Sequence, residues 1–215
     1  MAIPSTAEIG KVLKAADGPF RAYVALCAFA GLRVGEAAGV QVGDIDFLRR
    51  TLIVSRQIQR EEGGFEVRAP KYGSERSIYL APALVSMLTA HIAAYRPGND
   101  SARWLFIGEG EDPPHQNTVT HRWAKTRTAA GLESPKMHDC RHFYASGLIA
   151  HGADVVTVQR ALGHAKATTT LNTYSHLWPT AEDRTRQAAE AMLSEALSAE
   201  ENEILADSVR TGEPS

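Results

Sequence analysis

His138, Arg141, His142, His164 and Tyr174 fall in one stretch of the chain. It reads His138-Asp139-Cys140-Arg141-His142, then Leu162-Gly163-His164, then Thr173-Tyr174-Ser175-His176. An arginine holds a phosphate with a planar fork of donors. Histidines move protons near neutral pH. A tyrosine hydroxyl attacks phosphorus and stays attached. Together these residue types point to covalent phosphoryl transfer. Displacement at a phosphodiester builds negative charge on its oxygens, which two converging arginines would stabilise. Arg141 is one and Arg33 is the natural second. Lys71 is placed to protonate the leaving oxygen, and His138 or His164 to help take the proton from Tyr174. This chemistry uses no metal and no cofactor, and the sequence carries no acidic cluster of the two-metal nuclease type.

These residues need a scaffold, and the chain spells one out. Ser5 or Thr6 caps a first helix with Ile9, Val12 and Leu13 on one face. Residues 20–30 are apolar nearly all round, which predicts a buried helix. Arg33 sits just past its end, after Gly31-Leu32. From Ile45 to Leu80 the period shifts to two. Thr51–Val54, extended by Gln57–Gln59, then Phe65–Val67 and Arg76–Leu80 predict a small antiparallel sheet, with Glu61–Gly64 as a turn and Lys71 on the last hairpin.

Pro82 to Tyr95 predicts a helix with Leu84, Met87, Leu88 and Ile92 buried. Thr118 to Ala130 predicts another, carrying Arg122, Lys125 and Arg127. The His138 helix runs to His151, Asp154 caps Val155–Leu162, and Thr168–Leu177 carries Tyr174. Residues 181–207 read as a charged amphipathic helix with Met192, Leu193, Ala196 and Leu197 on one side, and 209–215 as disordered. The fold class is therefore mixed, mainly α with a small antiparallel β-sheet.

The 215 residues suffice for a full core, with 44% hydrophobic and 22% charged residues. No apolar run reaches the ~20 residues of a membrane span, and residues 1–10 lack the marks of a secretory signal. Cys27 and Cys140 lie in apolar, helix-like contexts and read as reduced packing residues of a cytoplasmic protein. The net charge of −2 conceals an asymmetry: residues 181–215 hold nine acidic and three basic groups, leaving sixteen and twenty before them. The body is mildly basic, which permits a DNA partner without demanding one.

The pattern resembles the catalytic domain of the tyrosine recombinase (phage integrase) family. The matching pieces are Ala30-Gly31-Leu32-Arg33-Val34-Gly35-Glu36, Pro70-Lys71-Tyr72-Gly73-Ser74-Glu75-Arg76-Ser77-Ile78-Tyr79-Leu80, His138 to His142, Leu162-Gly163-His164, and Thr169 to His176. Each is weak alone, but all occur in the family's order. The resemblance implies that Arg33 and Arg141 bind the scissile phosphate and that Lys71 protonates the leaving 5′ hydroxyl. It implies that His138 contacts the phosphate and assists proton transfer, that His164 hydrogen-bonds the phosphate, and that Tyr174 forms a 3′-phosphotyrosyl bond. It further implies site-specific recombination of double-stranded DNA, self-association into a tetramer on DNA, an accessory DNA-bending protein as a possible partner, and a nucleoid-associated, cytoplasmic setting in a bacterial or phage-infected host.

Cys140 stands where the family usually has leucine. Only 32 residues precede Arg33, where the family usually carries a core-binding domain. The chain thus reads as a catalytic domain (1–180) followed by an acidic helix and tail (181–215) suited to docking on a neighbouring protomer. Two other functions share these features: a type IB topoisomerase, and a DNA-binding protein that has lost catalysis.

Bland readings exist for each residue. Arg33 would suit a helix C-terminus, Lys71 a solvated turn, Tyr174 a core position, and Arg122, Lys125 and Arg127 either a DNA face or a solvated one. His138 and His142 share the spacing of a zinc-binding helix pair, though Asp139 stands beside the first. His142 reads as structural.

Overall fold

A computed structural model describes residues 3–62, 64–108 and 110–211. Two compact units make up the chain, Met1–Ser175 and His176–Ser215.

In the first unit, Ser5 and Glu8 cap helix α1 (Thr6–Ala15) reciprocally, and Ile9 and Val12 are buried. Asp17 accepts from the Phe20 amide to open α2 (Gly18–Phe29), which is buried along most of its length. Cys27 on α2 and Cys140 on α6 (Asp139–Ala150) are both buried and free, as their apolar contexts imply. The chain turns at Gly31 into the short α3 (Val34–Ala38). Gly31 has φ +66°, and a Cβ there would lie 2.4 Å from the Tyr144 ring, so only glycine fits.

The β-region departs from the expected single sheet. Strands β1 (Ile45–Asp46), β2 (Thr51–Val54) and β5 (Arg76–Tyr79) form one antiparallel sheet in the order β1-β2-β5. Strands β3 (Gln57–Glu61) and β4 (Gly64–Arg68) form a separate hairpin. Gln57–Gln59 therefore does not extend the Thr51–Val54 strand. The chain breaks between them at Arg56, whose guanidinium turns back to Asp44 at 2.5 Å. β5 pairs with β2 in the register Leu52↔Ile78, which sets Leu52, Val54 and Ile78 together in the core. Lys71 consequently lies on a connection between two sheets, not on a hairpin turn.

Helix α4 (Pro82–Tyr95) buries Leu84 and Leu88 as expected, while Met87 and Ile92 are only partly buried. His91 completes that face unexpectedly: it is buried and its Nε2 meets the Leu105 carbonyl at 2.9 Å. α5 (Gln116–Ala129) packs on α1, and α6 packs on α2. Asp154 caps α7 (Val155–Leu162) by accepting from the Val156 and Thr157 amides. Gly163 ends α7 in the left-handed conformation. α8 (Ala167–Tyr174) then carries Tyr174 at its last position.

The second unit is dominated by α9 (Ala181–Thr211). The expected disorder over 209–215 is overturned at 209–211, which continue the helix, while 212–215 lie outside the described residues. No helix among the described residues is long and apolar enough to cross a membrane.

Candidate active site

Glu36 is the electrostatic centre of the site. Its carboxylate is buried on α3 and accepts from the Arg33 amide at 2.9 Å and from Arg33 Nη1 at 2.6 Å. Arg76 reaches it from β5 with Nη2 at 2.9 Å and Nη1 at 3.2 Å. Burial alone would raise the carboxyl's pKa. The Arg76 hydrogen bond and charge, with help from Arg33, outweigh that and hold it at about 2. Arg76 also donates to the Ala161 carbonyl at 3.1 Å, so one guanidinium ties α3, β5 and the end of α7 together. Arg33 Nη1 reaches Ser74 Oγ at 3.0 Å. Arg33 is thus held through its backbone amide and one tip of its guanidinium.

Arg141 enters from α6. It is 3% exposed, an unusual burial for a full charge. Its Nη1 donates to the Gly31 carbonyl, and its Nη2 donates to the Leu162 carbonyl at 2.5 Å. Those acceptors are the backbone of the Gly31 turn and the C-terminus of α7, whose helix dipole favours a cation. Burial, then the neighbouring Arg33 charge, lower its pKa to about 9, so it remains a cation at neutral pH. Two arginines from remote parts of the chain therefore sit close enough to repel, which prepares a place for an anion.

Three histidines surround this pair. His138 immediately precedes α6, and burial and the Arg141 charge lower its pKa. His164 follows Gly163, and its Nδ1 lies 2.9 Å from Thr170 Oγ1. Burial and then Arg141, Arg33 and Arg76 push its pKa down to about 4, leaving a neutral imidazole at physiological pH. The third is His142, read from the sequence as structural. Its Nδ1 lies 2.6 Å from the Tyr174 hydroxyl, and the His138 ring meets it edge-on at 4.8 Å between centroids. No sequence rule pairs residues this far apart. The available signal was only that His142 shares a helix face with His138.

Tyr174 is 1% exposed. Burial raises the phenol's pKa to about 12, although Arg141 pulls it down. In this state the hydroxyl is protonated and covered.

Arg33, Arg141, His138, His164 and Tyr174, all expected from the sequence, converge here. Lys71 stands apart from Tyr174 but shares a groove of about 360 Å³ with Arg33, Gln57, Arg60 and Gln116. The basic residues of α5 do not share one exposed face. Lys125 is exposed, Arg122 is half-buried beside a cavity lined by Tyr23 and Tyr95, and Arg127 is half-buried with its Nε unpaired.

A profile of the Phage integrase family matches residues 5–180. The putative prophage phiRv2 integrase of Mycobacterium tuberculosis is 29% identical over 189 residues, which cover 87% of this chain and 49% of that protein. The chain thus spans about half the length of that curated relative. Among solved structures, the Tn1549 transposon integrase in complex with transposon right end DNA superposes with a TM-score of 0.74 at 22% identity, over 90% of this chain and 66% of that one. The catalytic domain of bacteriophage HP1 integrase superposes with a TM-score of 0.60 at 18% identity, over 87% and 94% of the two chains.

Proposed function

The chain belongs to the phage integrase family and has its catalytic-domain fold, and from that premise we propose that it cleaves and rejoins strands of double-stranded DNA through a 3′-phosphotyrosyl bond on Tyr174. The observation that carries this reading is that Arg141 lies within range of the charges of Arg33, His138, His164 and Tyr174, while His142 meets the Tyr174 hydroxyl. Arg33 and Arg141 hold the scissile phosphate and stabilise the charge that develops on it. His138 and His164 contact the same phosphate. Neutral His164 serves as a hydrogen-bonding partner and not as a third cation. Lys71, from the groove that also contains Arg33, protonates the departing 5′ oxygen. The phosphotyrosyl bond retains the energy of the broken bond, so a new strand end is joined without ATP.

DNA enters along the groove between the β3–β4 hairpin and α5, where Arg60, Lys71 and Gln116 are exposed. Of the basic residues of α5, exposed Lys125 supplies a further backbone contact. Four protomers act together on two duplexes, with an accessory DNA-bending protein as a further partner, in the cytoplasm at the nucleoid. α9, whose Met192, Leu193 and Leu197 are exposed, docks on a neighbouring protomer.

The test is covalent capture. The full chain is incubated with a pool of nicked duplexes of random sequence, denatured in SDS, and the attached DNA is sequenced while the modified peptide is mapped. Attachment to Tyr174, absent in Tyr174→Phe, is the expected result. Attachment elsewhere, or none from the whole pool, overturns the reading. Relaxation of a supercoiled plasmid without recombination of paired sites would point to the topoisomerase function instead.

A further inference from the structure

Among the three histidines near the nucleophile, His142 touches the reacting atom. We propose that His142 is the catalytic base of the reaction: its Nδ1 takes the Tyr174 proton during cleavage and returns it during religation. This deepens the proposed function and rests on it. The Tyr174 hydroxyl lies 2.6 Å from His142 Nδ1, which is direct hydrogen-bonding distance. The other two histidines make their contacts to other groups. His164 Nδ1 faces Thr170 Oγ1, and His138 meets His142 rather than the tyrosine. His142 is also held in place: it follows Arg141, whose guanidinium is anchored to the Gly31 and Leu162 carbonyls.

The phenol has one proton, and in the direction of catalysis it donates. Nδ1 must therefore carry the lone pair and Nε2 the proton. During cleavage the Tyr174 Oη–H bond breaks and its proton passes to Nδ1. Oη bonds to phosphorus, the bond from phosphorus to the 5′ oxygen breaks, and that oxygen takes a proton from Lys71. His142 becomes an imidazolium, and religation reverses each transfer. The charged and titratable groups facing His142 are His138, Asp139, Arg141, His164 and Tyr174. Burial, His138 and Arg141 disfavour the imidazolium, while Asp139 supports it. A phosphodiester seated on Arg33 and Arg141 offsets their charge and lets His142 accept a proton.

The test uses the nicked duplex recovered by covalent capture, under single-turnover conditions across the pH range. His142→Asn keeps an oxygen that accepts the tyrosine hydrogen bond but takes no proton. It is expected to slow covalent-complex formation roughly 10²-fold or more and to abolish the acidic limb of the pH profile. Wild-type rate in this variant overturns the proposal, as does a slow variant that keeps the acidic limb. Wild-type protein that traps no DNA from the pool removes the proposed function and this inference with it, a result distinct from a wild-type protein that cleaves normally beside an unaffected variant. Should His142→Asn fail to fold, ¹⁵N NMR of the histidines in the wild-type chain decides. The expected signature is an Nε2–H tautomer whose Nδ1 signal moves in Tyr174→Phe. An Nδ1–H tautomer overturns the assignment.

Discussion

Replacing Glu36 with glutamine keeps the shape of the side chain and removes its charge. The carboxyl is held at about 2 against an ordinary 4.5. Each pKa unit corresponds to about 1.4 kcal/mol, so ionised Glu36 contributes about 3 kcal/mol to folding. A second estimate agrees: removing one partner of a buried ion pair costs roughly 3–5 kcal/mol, because the other charge is left uncompensated. Here the abandoned charges are Arg33 and Arg76, which would face each other and the buried Arg141. Glutamine's amide also brings donors where two guanidiniums need acceptors.

The sign follows from the depressed pKa. The stabilisation is complete above pH 4.5 and fades as pH falls towards 2. Urea denaturation of wild type and Glu36→Gln should therefore differ by about 3 kcal/mol near neutral pH, and the gap should close as wild-type Glu36 is protonated. A gap below about 1 kcal/mol at neutral pH, or one that persists unchanged into acid, refutes the reasoning.

Three further outcomes are expected. Gly31→Ala should destabilise the fold by about 1–3 kcal/mol from backbone conformation alone, with the Tyr144 contact adding to it, as measured by thermal or urea denaturation. Arg141→Lys should lower covalent-complex formation roughly 10²–10³-fold, because an ammonium cannot span the Gly31 and Leu162 carbonyls while also holding a phosphate; near-normal trapping would contradict its assigned role. His164, lowered from 6.5 to about 4, binds its proton more readily in the unfolded chain, so wild-type stability should decline as pH falls through that interval. His164→Gln should flatten that slope in urea midpoints measured against pH.

Much of this protein is legible along the chain because its cues are local. Ser5 with Glu8 and Asp154 with Thr157 are caps three residues apart, and they start helices where the sequence places them. Gly31 and Gly163 mark the turns before Arg33 and His164 because their backbones need positive φ. The residue types of the site, two arginines, histidines and a tyrosine, likewise announce phosphoryl transfer through their chemistry. What the linear order does not encode is partnership between remote positions. β5 could pair with β4 or β2 on alternation alone, and the choice of β2 follows from where Leu52, Val54 and Ile78 can be buried together. Arg76 looks like an ordinary strand residue until Glu36 and the Ala161 carbonyl are brought to it. His142 looks structural until α8 sets the Tyr174 hydroxyl against its ring. The sequence by itself determined which groups are present and which local elements carry them. Only the tertiary structure decided which group meets which, because those contacts depend on long-range packing and on the balance of buried charge that closes around Glu36.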